Sequence, residues 1–132
     1  MELSARDSEY RQAFETMAQQ SVDALMVSGL PPNSERQKLI LELAVKYRLP
    51  CITWWTELAE SEQVLLAYAP DWRYHFRLWA DQIGQALNGV APADIPVHQP
   101  TKLKLAINLK TAKALGIVVP PLLLARADDV IE

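Results

Sequence analysis

Three side chains of this sequence have the chemistry of a nucleophile or a metal ligand, namely Cys51, His75 and His98. Cys51 lies within an apolar stretch that is typical of a buried strand, and no pair among the three shows the spacing of metal ligands. We therefore predict that Cys51 is a buried structural cysteine and that the protein has no catalytic residues, no metal site and no cofactor.

Two further groups of charged or polar residues lack features that catalysis requires. Lys110 and Thr111 follow a strand and open a helix, but the glycines of a phosphate-binding loop are missing. Glu57, Glu60 and Glu62 most simply form a solvated face beside a loop rather than an acid-base pair. The sequence therefore favours a protein that is not an enzyme.

Polar and aromatic residues lie at or just after the ends of three predicted strands: Ser28, then Thr53 with Trp54, then Tyr68 with Asp71. Open parallel sheets bind ligands beyond the carboxyl ends of their strands, where loops and helix N-termini converge. We predict that the rings of Trp54 and Tyr68 contact a small organic ligand. Ser28, Thr53 and Asp71 would hydrogen-bond to its polar groups. The alternative is that Trp54 belongs to the core and Asp71 only caps a helix.

Strands and helices alternate along the first half of the chain. Apolar residues at helical spacing between positions 10 and 18 predict a first helix, and Ser34, with Gln37 three residues later, predicts the capping box of a second. Strands are predicted at 22–27, 51–54 and 64–68, with a polar turn or short helix at 56–61. Alternation of this kind favours a parallel sheet whose strands are covered on both faces. The predicted fold class is α/β, a Rossmann-like parallel sheet flanked by helices.

The longest predicted helix opens the second half, with Asp71 as its cap and Gly89 as its end. One side of this helix carries an apolar stripe: Trp72, Phe76, Trp79, Ala80, Ile83 and Leu87.

The rest of the chain is a Pro-rich connection and a small C-terminal unit. Residues 90–100 read as an extended connection, and the alternation of polar and apolar residues at 102–108 predicts an edge or half-exposed strand. A short helix at 110–115 that stops at Gly116 and a last turn at 120–125 complete the chain.

Composition excludes several classes of protein. The 132 residues correspond to roughly one domain, and 13 Lys and Arg against 16 Asp and Glu leave no broad cationic surface for nucleic acid. A single cysteine excludes an intrachain disulfide. The first residues are acidic where a secretory signal has a basic start, and no apolar run approaches the ~18 residues that span a bilayer.

Several segments of the chain have amino-acid sequences that are specific enough to indicate a protein family. They are PADIPVHQPTK at 92–102, INLKTAKALG at 107–116, and Pro120-Pro121 with LLARAD at 123–128. With VDAL at 22–25 and YAPD at 68–71 upstream, they resemble the ABC transporter substrate-binding protein family, whose members are similar to type I periplasmic binding proteins. The resemblance covers nearly the whole chain.

The resemblance implies a non-enzymatic receptor of two Rossmann-like lobes that closes on a small solute and presents it to an ABC permease. Residues 1–132 would be a single α/β lobe, the C-terminal one. Within it, 1–70 would be the βα core, 71–100 the long helix and crossover, and 101–132 the last strand and short helices. The resemblance implies a periplasmic location, whereas the acidic N-terminus leaves a cytoplasmic one open.

Without a first lobe, the long helix would expose an apolar interface of Trp72, Phe76, Trp79, Ile83 and Leu87. This helix would either fold back on its own sheet or pair with a second copy in a homodimer. The favoured function is a component, or truncated lobe, of an ABC-type importer that binds a small organic solute such as an amino acid. The alternatives are a cytoplasmic ligand-sensing or dimeric interaction module that has lost transport, and, less favoured, a small enzyme.

Overall fold

Five strands and five α-helices lie within residues 5–60, 64–99 and 101–132, the parts of the chain that the computed structural model describes. In chain order they are α1 (Ala5–Gln19), β1 (Leu25–Val27), α2 (Gln37–Lys46), β2 (Cys51–Thr53), β3 (Leu66–Pro70), α3 (Trp72–Leu87), β4 (Leu103–Asn108), α4 (Leu109–Leu115), α5 (Pro121–Leu124) and β5 (Asp129–Ile131). Short 3-10 turns lie at Ser34–Arg36, Thr56–Glu60 and Pro92–Asp94. Residues 1–4, Ser61, Glu62 and Pro100, which belong to the predictions above, lie outside the described residues.

The strands form one sheet in the order β1-β2-β3-β4-β5. Neighbouring strands run parallel except for β3 and β4, which are antiparallel. The predicted α/β sheet flanked by helices is therefore confirmed as a mainly parallel sheet, and a fully parallel one was wrong. The chain returns at the edge where β3 ends, since Leu103 pairs with Pro70 and the Asp71 N–H donates to the Lys102 carbonyl at 2.9 Å.

The alternating sequence of β4 predicted an edge or half-exposed strand, and the structure shows a half-exposed strand that is not at the edge. It lies between β3 and β5, and Ala106, Ile107 and Asn108 are fully buried. The Asn108 amide donates to the Ala59 carbonyl at 2.8 Å and accepts from the Thr111 N–H at 2.9 Å. A polar residue within the alternating pattern thus fills an interior position, because its hydrogen-bonding groups are satisfied there.

One face of the sheet packs on α1 and α2. Apolar residues from both helices, from β2 and from the segments just before β2 and β3 form this core: Phe14, Ile40, Leu41, Leu43, Ala44, Leu49, Cys51 and Val64. The apolar positions three and four residues apart in α2 explain its amphipathic packing. The predicted capping box does not form, because Ser34 belongs to the 3-10 turn and α2 begins at Gln37 without a side-chain cap.

The opposite face of the sheet is open around Met26 and Tyr68 and covered at Ile107, which pairs with Leu66 and is 1% exposed. The prediction that both faces are covered is therefore wrong for the part of this face around Met26 and Tyr68. Met26 lies across from Ile52, and Ile52 across from Leu66, so the three side chains share a face. Met26 is 80% exposed. The continuous apolar runs of β1 to β3 therefore predicted the residues of this surface but not its exposure.

Helix α3 begins and ends as predicted. The Asp71 carboxylate accepts from the Tyr74 N–H at 3.1 Å, and Gly89, with φ of +89°, lies just beyond the helix. Trp72 stacks against Trp55, with ring centroids 6.3 Å apart. The other residues of the predicted interface, Phe76, Trp79, Ile83 and Leu87, are exposed. The helix has therefore not folded back on its own sheet.

The C-terminal unit contains one strand that the sequence did not predict. Helix α4 ends at Gly116, with φ of +74°, as expected, and α5 corresponds to the predicted last turn. Strand β5 then pairs in parallel with β4 through Asp129, Val130 and Ile131. Within the described residues, no helix combines the length and apolarity needed to cross a membrane.

Candidate functional site

A cavity of about 770 Å³ opens on the uncovered face of the sheet. It lies at the edge where β1, β2 and β3 end and where β4 and β5 begin. Its lining comprises Met26, Val27, Ser28, Ile52, Thr53, Trp54, Leu66, Tyr68, Leu103, Leu105, Leu123, Arg126 and Asp128. A volume in this range and a mostly apolar wall with few polar groups are typical of sites for small organic molecules.

Four of the five predicted ligand-binding residues line this one cavity. Ser28 follows β1, Thr53 ends β2, Trp54 follows it, and Tyr68 lies in β3. They come together because parallel neighbouring strands end at the same edge. Asp71 is not among the lining residues.

The apolar wall follows from the register of the sheet. Tyr68 lies across from Leu105 in the antiparallel pair, and Leu66 precedes Tyr68 by two residues, so all three side chains lie on the open face. Tyr68 is 51% exposed. An aromatic ring of this exposure has a free surface on which a planar or apolar ligand group can stack.

The two hydroxyl groups at the strand ends are held by local hydrogen bonds. Ser28 Oγ accepts from Asn33 Nδ2 at 3.1 Å, and Asn33 Oδ1 accepts from the Tyr10 hydroxyl at 2.7 Å. Thr53 Oγ1 accepts from the Trp55 N–H at 3.4 Å. Ser28 is exposed and acts as an acceptor in its contact, so its O–H can donate to a ligand. Thr53 is only 3% exposed, and because it follows Ile52 in β2 its side chain lies on the covered face of the sheet, so Thr53 borders the cavity without presenting its hydroxyl to it.

Arg126 and Asp128 give the cavity its charged groups, and the sequence interpretation did not assign them to the site. Both lie between α5 and β5 and are exposed. Asp128 Oδ2 accepts from the Leu105 N–H at 2.8 Å, which fixes this carboxylate beside β4. Among the described residues, Arg126 is in no ion pair. Both residues belong to the LLARAD segment at 123–128, but in the sequence analysis this segment indicated only the family.

The contacts of Asp71 are at the start of α3. Its carboxylate caps α3 and lies 3.9 Å from Lys102 Nζ. The pKa of Asp71 is lowered, first by the hydrogen bond from the Tyr74 N–H and then by Lys104 and Lys102, against the opposing effect of burial. Its contacts in the structure are those of a helix cap beside a lysine, and its predicted role in ligand binding stays a prediction.

The residues with nucleophilic or metal-binding chemistry lie on separate elements. Cys51 is fully buried in β2, where burial raises its pKa to about 11. His75 is buried in α3 against the rings of Trp72 and Tyr74, and His98 is exposed in the connection before β4. In the three described ranges, no group of three His, Cys, Asp or Glu side chains could hold a metal ion.

The fold and the cavity define a class of protein: an α/β lobe with a small-molecule cavity at the carboxyl ends of its strands. The sequence profile of the family described as ABC transporter substrate binding protein matches residues 2–131. The chain belongs to this family, and the resemblance found in its sequence is confirmed.

Solved structures share this fold. A protein with bound L-Trp from Streptococcus pneumoniae, described as an ABC domain, has a TM-score of 0.81 and 26% identity, over 95% of this chain and 43% of its own. A conserved domain protein from Vibrio cholerae has a TM-score of 0.80 and 21% identity, over 94% of this chain and 41% of its own. A substrate binding protein with adhesive properties from Clostridium difficile has a TM-score of 0.64 and 18% identity, over 95% of this chain and 41% of its own.

The chain therefore spans less than half the length of these structures. No curated protein matches it.

Proposed function

We propose that this chain is a solute-binding part of an ABC-type importer and that it binds a small organic solute, such as an amino acid, in the sheet-face cavity. The observation that carries the proposal is the meeting of Ser28, Thr53, Trp54 and Tyr68 on one cavity in a chain of the substrate-binding family. The permease partner and a location outside the cytoplasmic membrane are further parts of this proposal.

The lining favours an α-amino acid with a large apolar side chain. Trp54 and Tyr68 offer rings for stacking, and Leu66 and Leu105 complete an apolar wall. The Arg126 guanidinium, which forms no ion pair with the residues that the structure describes, can bind a carboxylate through two N–H groups.

Asp128 provides the complementary charge for an α-ammonium group in the same cavity. The L-Trp found in the Streptococcus pneumoniae structure is a solute of this chemistry.

The affinity of one lobe for such a solute is expected to be low. The cavity is open on one side, so a bound solute stays partly hydrated. At about 0.3 kcal/mol per non-hydrogen atom, a molecule the size of tryptophan binds with a Kd of roughly 1 mM.

Calorimetric titration with L-tryptophan, L-leucine and L-glutamate tests the proposal. Tyr68→Ala and Arg126→Gln should each weaken L-tryptophan binding about tenfold, as expected for the loss of a stacked ring or a charged hydrogen bond. Arg77→Gln, which changes an exposed arginine of α3 away from the cavity, is the matched control. No binding of any of the three solutes, or equal binding by all four proteins, would refute this assignment of the site.

A further inference from the structure

Three hydrogen-bonded side chains connect α1 to the rim of the solute cavity. The Tyr10 hydroxyl donates to Asn33 Oδ1 at 2.7 Å, and Asn33 Nδ2 donates to Ser28 Oγ at 3.1 Å. Tyr10 and Asn33 are half-buried, whereas Ser28 is exposed and lines the cavity. Neither Tyr10 nor Asn33 is among the lining residues, so these two side chains can act on a solute only through Ser28.

The two distances indicate the direction of the hydrogen bonds. The shorter distance is typical of an O–H···O bond, and the longer one is within the range of an N–H···O bond. The carbonyl oxygen of the Asn33 amide therefore faces Tyr10, and its amino group faces Ser28. Because Ser28 Oγ accepts from this amino group, the Ser28 proton points away from Asn33. Ser28 follows Met26 by two residues and shares the open face of the sheet, so its O–H is directed to the cavity.

Ser28 lies at the opposite end of the cavity from the charged groups. It follows β1, whereas Arg126 and Asp128 precede β5, and these two strands are the edges of the sheet. Five strands spaced about 4.8 Å apart place the edges roughly 19 Å apart. An α-amino acid whose carboxylate and ammonium groups are held by Arg126 and Asp128 therefore directs its side chain past Tyr68 and Trp54 toward Ser28.

We propose that Tyr10 and Asn33 are positioning residues that hold Ser28 as a hydrogen-bond donor, so that the cavity selects amino acids whose large side chain ends in an acceptor oxygen. This inference rests on the proposed function and narrows its class of solute. An apolar side-chain end leaves the Ser28 proton without an acceptor when it displaces water, which costs affinity. A side chain that ends in an N–H group places a second donor against the first.

Three amino acids that differ only at the para position of the ring test which group Ser28 presents. O-Methyl-L-tyrosine carries an oxygen that can only accept, L-4-aminophenylalanine carries N–H donors, and L-phenylalanine carries neither. The measured quantity is the ratio of the affinities for the first two, obtained by calorimetric titration of the full chain. We expect O-methyl-L-tyrosine to bind about fivefold more tightly than L-4-aminophenylalanine, which is the effect of one hydrogen bond.

Asn33→Asp should reverse this preference. A carboxylate has no N–H, so the Tyr10 and Ser28 hydroxyls both donate to it, and Ser28 Oγ then presents its lone pairs to the cavity. The affinity ratio should change by about tenfold in favour of L-4-aminophenylalanine. The matched control is Asn88→Asp, which makes the same change at an exposed amide bonded to the Gly84 carbonyl in α3 and should keep the original ratio.

Tyr10→Phe tests the first residue of the series. The variant keeps the ring but removes the O–H that holds the Asn33 carbonyl oxygen, so the amide can turn either group toward Ser28. Ser28 then acts as donor or acceptor, and the affinity ratio should fall to within about twofold of one. Ser28→Ala should give the same result, because it removes the hydroxyl itself.

A purely structural role of Asn33 predicts a different result. If Asn33 only held the loop after β1, Asn33→Asp would weaken all three amino acids alike and leave the ratio unchanged, which would overturn the proposal. Arg126→Gln should weaken all three alike, because they share the same carboxylate.

The proposed function and this inference fail in different ways. Binding of all three amino acids with equal affinity in the unmodified chain would overturn the selection by Ser28 and support the solute site. No binding of these three, nor of L-tryptophan, L-leucine and L-glutamate, would overturn the solute site and the selection together.

Discussion

Gly29 lies directly against Trp54 at the rim of the cavity. A Cβ atom at position 29 would be 3.2 Å from Trp54 Cδ1 and 3.3 Å from Trp55 Cζ2. The loop after β1 can approach the two indole rings only because position 29 has no side chain. This contact sets the position of one aromatic wall of the candidate site.

Replacing Gly29 with alanine should therefore disturb the cavity. The added methyl group displaces the Trp54 and Trp55 rings by a few tenths of an ångström, so L-tryptophan binding should weaken a few-fold. Calorimetry measures the affinity, and near-ultraviolet circular dichroism reports the changed indole environment.

The matched control is Gly84→Ala. A Cβ at this position of α3 has no atom within 4 Å, so it should leave binding unchanged and stabilise the helix by about 1 kcal/mol. Unchanged affinity and an unchanged spectrum in Gly29→Ala would contradict the assigned contact.

Asn108→Ala should destabilise the fold strongly. The substitution leaves the buried Ala59 carbonyl without its donor and removes the acceptor for the Thr111 N–H at the start of α4. We expect a loss of about 2–3 kcal/mol in the free energy of unfolding, measured with urea. Asn88→Ala, which removes an exposed amide bonded to the Gly84 carbonyl, should cost less than about 1 kcal/mol. Similar losses in the two variants would argue against a special role for the interior amide.

The sequence could predict the elements that depend on local patterns. Apolar runs and helical periodicity indicated β1 to β3 and the helices between them, and Asp71 and Gly89 marked the limits of α3. Because parallel strands end at one edge, the same patterns predicted that Ser28, Trp54 and Tyr68 would meet.

The remaining features depend on long-range pairing that local patterns do not contain. The direction of β4 follows from its pairing with β3. The buried Asn108 amide has its hydrogen-bond acceptor in the Ala59 carbonyl, 49 residues away in sequence. Strand β5 has three residues, which are too few to show the alternation of inward and outward side chains that indicates a strand. Arg126 and Asp128 reach the cavity only because the chain returns to that edge of the sheet.

The Asp71 carboxylate should make stability depend on pH in the acid range. Its pKa in the folded chain lies below its ordinary value of 3.8, so its contribution is complete above that pH and disappears as the pH falls through the lowered pKa. Asp71→Asn retains a capping oxygen but does not titrate. The wild-type chain should be more stable than this variant at neutral pH, and the difference should vanish in acid. Urea unfolding over a pH series measures this difference, and a constant difference would contradict the assigned contacts.

Cys51 should be unreactive while the chain is folded. The thiolate is the reactive form, and burial raises the pKa of this thiol to about 11, so almost none is ionised at neutral pH. The side chain is also fully buried, so a thiol reagent can reach it only when the chain unfolds. Labelling with an aromatic disulfide reagent should be slow in buffer and complete in urea, with a rate that rises with the unfolded fraction.

The control is Ile83→Cys, which adds an exposed thiol on α3 and should be labelled at once with one equivalent of reagent. Immediate labelling of the unmodified chain would show that β2 is accessible to solvent and that the core on this face of the sheet opens readily.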